Sequence, residues 1–141
     1  MKSILKIATA LLALQLLAIT TFAQTGNKTF TGIWELAQSG PTGSALQNAG
    51  PGYLKIFNAD STFANVQIRN TGAIISHSGK YTVDDAQNYT ETASYRIPEM
   101  GGGPLGNAFK LKYKFSEDAK MIQISYVLEN GIAATEIWRK L

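Results

Sequence analysis

Residues 29–37 read TFTGIWELA, and their alternation decides the fold. Phe30, Gly32, Trp34 and Leu36 fall on one face of an extended chain, with Thr29, Thr31, Ile33 and Glu35 on the other. A period of two is the spacing of a strand, because successive strand side chains point to opposite faces. Gly32 and Trp34 share the apolar face, so the stretch reads as the first strand of a sheet that must close around the indole.

Toward the N-terminus the pattern changes. Lys2 and Lys6 flank the start, Ile7 to Ile19 is almost wholly apolar, and Thr21-Phe22-Ala23 supplies small residues at −3 and −1 of a cleavage after Ala23. A basic start, a short apolar run and a small-residue exit are the parts of a secretory signal peptide. The run falls short of the about 20 apolar residues that a membrane span requires. The expected organisation is therefore a signal peptide over residues 1–23 and one β-barrel domain over 24–141, exported to the periplasm or secreted. Two of the 13 basic residues leave with the signal peptide, so 11 remain against 10 acidic ones and the net charge falls from +3 to +1. A near-neutral domain carries no nucleic-acid footprint. With no cysteine, neither a disulfide nor a lipid-anchored cysteine is available, and core packing alone must hold the fold.

Toward the C-terminus, alternation recurs between turn signals, and no helical period is sustained. Strands are expected at about 53–58, 62–69, 73–83, 88–97, 107–116, 120–129 and 132–140. The Gly- and Pro-rich segments 38–52 and 98–106 are loops, with one short helical turn within Ser44–Ala49. In the strand at 107–116, Phe109, Leu111, Tyr113 and Phe115 face inward and Lys110, Lys112 and Lys114 outward. Asn130-Gly131 marks a two-residue hairpin. The facing of the 53–69 hairpin stays open. Leu54, Ile56, Ala64, Val66 and Ile68 make one inner set, whereas Phe57 and Phe63 favour the opposite phase or a bulge.

Eight antiparallel strands joined in sequence close into an up-and-down barrel, which leaves no exposed edge. The fold class is all-β, with a two-sheet sandwich as the alternative. In such an order the two long loops share one end, and long loops on a rigid scaffold are where binding is built.

Gly32-x-Trp34 in the first strand, the eight-strand count and Arg139 after Trp138 in the last strand together resemble the calycins, the lipocalins and their relatives. That resemblance implies a barrel floor of Gly32 and Trp34, with Arg139 stacked over the indole. Several further stretches are similar to a short, exported, lipocalin-like family of unknown function in Gram-negative gut bacteria. They are YLKIF (53–57), DSTF (60–63), AII (73–75), GKY (79–81), YTE (89–91) and EIWR (136–139). Avidin-type barrels share the Gly-x-Trp start but line their biotin pocket with several tryptophans, and this chain has two.

The strands at 73–83 and 88–97 carry the chemistry. Ile74, Ser76, Ser78, Lys80 and Thr82, with Asn88, Thr90, Thr92, Ser94 and Arg96, read as a solvent face. The other face holds Ile75, His77, Gly79, Tyr81 and Val83, with Tyr89, Glu91, Ala93, Tyr95 and Ile97. Pairing Val83 with Tyr89 sets Tyr81 opposite Glu91 and His77 opposite Tyr95. A few convergent polar groups among apolar ones is how a small-molecule pocket is lined. The expected ligand is a small amphiphilic or hydrophobic molecule, contacted by His77, Tyr81, Tyr89, Glu91, Tyr95, Tyr113 and Tyr126. A filled barrel whose polar groups satisfy one another is the alternative. No nucleophile motif or phosphate loop is present, and no catalytic residue is assigned. His77 and Glu91 as an acid–base pair define the enzyme alternative. One histidine and no cysteine point to no metal and no cofactor. A protein-interaction module of the cell envelope is a third reading.

Overall fold

The computed structural model describes residues 28–100 and 104–141, so the signal peptide expected over 1–23 lies outside the described residues. Nine strands follow one another: β1 Gly32–Pro41, β2 Gln47–Asn48, β3 Tyr53–Phe57, β4 Thr62–Arg69, β5 Gly72–Val83, β6 Asn88–Arg96, β7 Ala108–Phe115, β8 Met121–Val127 and β9 Ala133–Lys140. Every neighbouring pair is antiparallel, and β1 also pairs with β9. Eight long strands thus close into an up-and-down barrel, and the two-residue β2 hangs on β1 as a ninth. A sandwich is excluded. No helix among the described residues is long and apolar enough to cross a membrane.

The helical turn expected within 44–49 is a strand instead. β3 reaches only Gly32 to Glu35 of β1, so the far half of β1 is left bare on that side. β2 covers it through Gln38 and Ser39. The expected two-residue turn at Asn130-Gly131 is one residue longer. Leu128 and Ile132 bond across it, and Gly131 takes a positive φ of 81°, the form of a three-residue hairpin loop.

Three bulges set which side chains face inward. Ala37 is the extra residue between β1 and β9, Ser76 between β4 and β5, and Ser94 between β5 and β6. One inserted residue reverses the facing of all that follow. His77, Gly79 and Tyr81 therefore point in as expected, while Ile75 beyond Ser76 points out and is half exposed. Likewise Tyr89, Glu91 and Ala93 point in, and Tyr95 beyond Ser94 points out beside Ser78. His77 sits opposite Arg96, not Tyr95. Gly79 lies at this kink because nothing larger fits. A Cβ there would stand 2.0 Å from the Thr92 carbonyl oxygen and 2.8 Å from Ala93 Cα.

In the 53–69 hairpin the opposite phase wins. Lys55, Phe57 and Phe63 are buried, while Leu54, Ile56, Ala64 and Val66 are only half buried and Ile68 is exposed. On β7, Leu111 is buried and Lys110, Lys112 and Lys114 are exposed, as the alternation requires.

One end of the barrel is sealed. Trp34 is fully buried, and its Nε1 donates to the Phe30 carbonyl at 2.7 Å. Phe30 precedes β1 and plugs the opening, with its ring centroid 4.7–5.4 Å from those of Phe57, Tyr89, Tyr113 and Phe115. Such edge and tilted ring pairs add to the stabilisation from burial alone.

The cation over the indole is Lys140, with Nζ 5.3 Å from the ring, and not Arg139. Arg139 is one residue earlier on β9 and so faces outward, where it pairs with Glu35. Gly32 makes the Lys140 contact possible, since a Cβ there would meet Lys140 Cε at 2.9 Å.

Replacing Gly79 with Ala is expected to lower the stability by about 3 kcal/mol, the upper end for overpacking, because backbone blocks the added methyl. Urea denaturation reads this directly, and an unchanged midpoint would reject the close approach.

Candidate functional site

Above the aromatic floor the interior becomes ionic. Lys55 of β3 is buried, and its Nζ lies 2.7 Å from Glu91 Oε1 of β6. Three rings enclose the same ammonium, with centroids of Phe57, Phe63 and Trp138 at 5.5–5.8 Å. Cations are drawn to ring faces at this range. Glu91 Oε1 also accepts from the Tyr89 hydroxyl at 2.9 Å. Burial, followed by the neighbouring Glu91 charge, holds the Tyr89 phenol well above its ordinary range.

A second carboxylate stands nearer the other end. Glu136 of β9 accepts from the Tyr126 hydroxyl at 2.7 Å on Oε1 and from Trp138 Nε1 at 2.9 Å on Oε2. Burial first and Glu136 second push the Tyr126 phenol upward. Glu91 also acts on Tyr126, so the two carboxylates belong to one electrostatic set.

Across the barrel, Lys55, Asn65 and His77 occupy neighbouring inward positions on β3, β4 and β5. Asn65 Nδ2 lies 3.0 Å from His77 Nε2. The bulge residue Ser76 ties its hydroxyl to the Asn65 carbonyl at 3.2 Å, which fixes this rung. Phe63 packs edge-on against the imidazole at 5.6 Å. Burial, then the Lys55 charge, lowers the His77 pKa to about 4 from its ordinary 6.5, against an upward pull from Glu91. His77 is therefore neutral near pH 7, and neutral imidazole leaves one ring nitrogen to accept from the Asn65 amide.

The candidates from the sequence divide three ways. His77, Tyr89, Glu91 and Tyr126 meet in this interior set. Tyr81 and Tyr113 belong to the floor, where their hydroxyls donate to the carbonyls of Asn58 at 3.0 Å and Asp85 at 2.9 Å. Tyr95 is half exposed on the outer wall, because of the Ser94 bulge.

Lys55, Asn65, Glu136 and Trp138 escaped the sequence reading as site residues. Phe57 and Phe63 held the signal for Lys55 and Asn65, since each sits two positions away on the same face. Among the described residues no group of three His, Asp or Glu side chains is placed to hold a metal ion.

A family model described as a domain of unknown function, DUF4488, matches residues 29–141. The chain belongs to that family. No curated protein matches it. The matched span takes in every strand of the barrel. What the structure shares with the lipocalins is the closed eight-stranded barrel, and the family match does not extend that to membership.

Removing one partner of the buried ion pair leaves the other unpaired, at a cost of about 3–5 kcal/mol. Lys55→Met is expected to lose this much in urea denaturation. The double variant Lys55→Met with Glu91→Leu is expected to recover part of it, the remainder being the buried Tyr89 hydroxyl that Glu91→Leu leaves unpaired. An equal loss in the double variant would mean that the pair itself stabilises the barrel.

His77 makes stability depend on acid. The unfolded chain binds its proton at the ordinary 6.5 and the folded chain only near 4. Stability from this group is thus complete above 6.5 and lost as the pH falls through 4. His77→Gln should flatten the decline in denaturation midpoint between those values, and a parallel decline in both proteins would contradict the neutral assignment.

Proposed function

We propose that this is an exported, lipocalin-like binding protein that holds a small amphiphilic molecule in the upper half of its barrel. One observation supports the reading above others. The barrel is plugged by aromatic rings at one end, while toward the other its inward positions stay partly open to solvent over a polar set. At that open end Tyr53 and Phe109 occupy inward positions, yet are 45% and 39% exposed. Below them lie Asn65, His77, Tyr126 and Glu136. Apolar rims over a few placed polar groups suit a ligand with one polar and one apolar part. The segments 41–53, 96–100 and 104–108 lie at this same end, where binding loops are expected. Export rests on the signal-peptide pattern of residues 1–23.

Native mass spectrometry of the protein purified from its own source tests the proposal. A co-purified small molecule is expected, released when Phe109→Arg places a charge in the mouth. A bare mass, together with no thermal shift from any of a panel of medium-chain amphiphiles, would overturn it.

A second reading draws on the outer wall. Ile75, Tyr95 and Ile97 line an open groove there with Arg69 and Glu99, and the adjoining Ile68 is also exposed. Exposed apolar area of this kind marks interaction surfaces, which favours a protein partner in the cell envelope. A partner lost from the pull-down of Tyr95→Arg, and retained by Phe109→Arg, would support this reading over the first.

A further inference from the structure

The donors and acceptors of the interior do not balance. Each buried donor group near the proposed site already has an acceptor within the protein. Tyr89 and Lys55 give to Glu91, and Tyr126 and Trp138 give to Glu136. Asn65 Nδ2 is turned to His77. The acceptors are not used up. Asn65 Oδ1 is buried with no hydrogen-bond partner, a state that few native polar atoms tolerate. Glu136 accepts one bond on each oxygen, and a carboxylate has room for about four. Among the described residues it has no cationic partner within salt-bridge range.

The cations point to the same conclusion. Lys55 is committed to Glu91 and enclosed by three rings. Arg96, opposite His77, is not free either. An incoming anion would therefore meet carboxylates and an unpartnered amide oxygen with no available cation. An incoming donor would supply what Asn65 and Glu136 lack.

We infer that the ligand, on the reading that the upper interior is the binding site, carries a primary ammonium on an apolar body. The ammonium donates to Glu136 and to Asn65 Oδ1, and the apolar body lies against Phe109 and Tyr53 toward the mouth. A carboxylate in the same place would leave both acceptors unpaired and set two like charges together. Discrimination against it is therefore built in, by the same logic that makes unpaired polar groups costly.

Trp138 donates to Glu136 and reports on the site by its fluorescence. Dodecylamine, dodecanol and dodecanoate, each below its micelle concentration at pH 7, are titrated into the mature protein and followed by that emission and by calorimetry. Dodecylamine is expected to bind about tenfold or more tighter than dodecanoate, the size of one charge-assisted hydrogen bond, with dodecanol between them. Glu136→Gln should remove most of the amine's advantage over the alcohol, while Asn65→Leu weakens both. Equal or tighter binding of dodecanoate would overturn the ammonium assignment and leave interior binding standing. So would an amine preference that survives both substitutions. If none of the three perturbs Trp138 or releases heat, the interior site itself is rejected, and the ammonium with it.

Discussion

A lysine and a glutamate buried face to face at the waist of the barrel constrain everything around them. Taking both charges out of water costs several kcal/mol per ion before their attraction returns any of it. The arrangement survives only because Lys55 and Glu91 are 2.7 Å apart, Tyr89 adds a second donor, and three rings occupy the remaining faces of the ammonium. Those rings come from β3, β4 and β9, so the pair fixes the relative rotation of strands on distant parts of the sheet.

The waist also divides the interior into two chemistries. Below it, Phe30, Trp34, Phe57, Tyr81, Tyr89, Tyr113 and Phe115 form a plug whose few polar atoms bond to nearby backbone or to the waist itself. Above it, Asn65, His77, Tyr126 and Glu136 are polar and less deeply buried. The floor is ring packed against ring, and the upper half holds an unpartnered acceptor. Stability and recognition are thus carried by different layers of one barrel, and Lys55 touches both.

The eight strands of the barrel, their order and its closure are legible in the sequence because each rests on local pattern, whereas the two-residue β2 carries no such pattern. Alternation marks the strands, and Gly, Asn and Asp mark the turns between them. The interior was less legible for a physical reason. Ser76 and Ser94 look like ordinary outward residues of alternating strands, yet each is an extra residue that reverses the facing beyond it. Nothing local distinguishes a bulge from an alternation that simply continues, and a continued alternation puts Tyr95 and Ile75 inside. Lys55 was hidden by the opposite assumption, that a lysine in an alternating strand faces water. Arg139 and Lys140 show how narrow the margin is: adjacent cations on β9, of which the register turns only the second toward Trp34.

The pairing of β1 with β9 joins positions as far apart as Glu35 and Arg139, a separation of 104 residues. Almost every other strand pairs with its sequence neighbour, so a chain emerging N-terminus first can build most of its sheet early and still have an open seam. Trp34 gains its full cover only when Lys140 arrives. Contacts this distant slow folding, because chain entropy must be lost before they form. The barrel therefore cannot shut before β9 is in place, so closure comes last and every earlier pairing forms on a sheet that is still open along one seam.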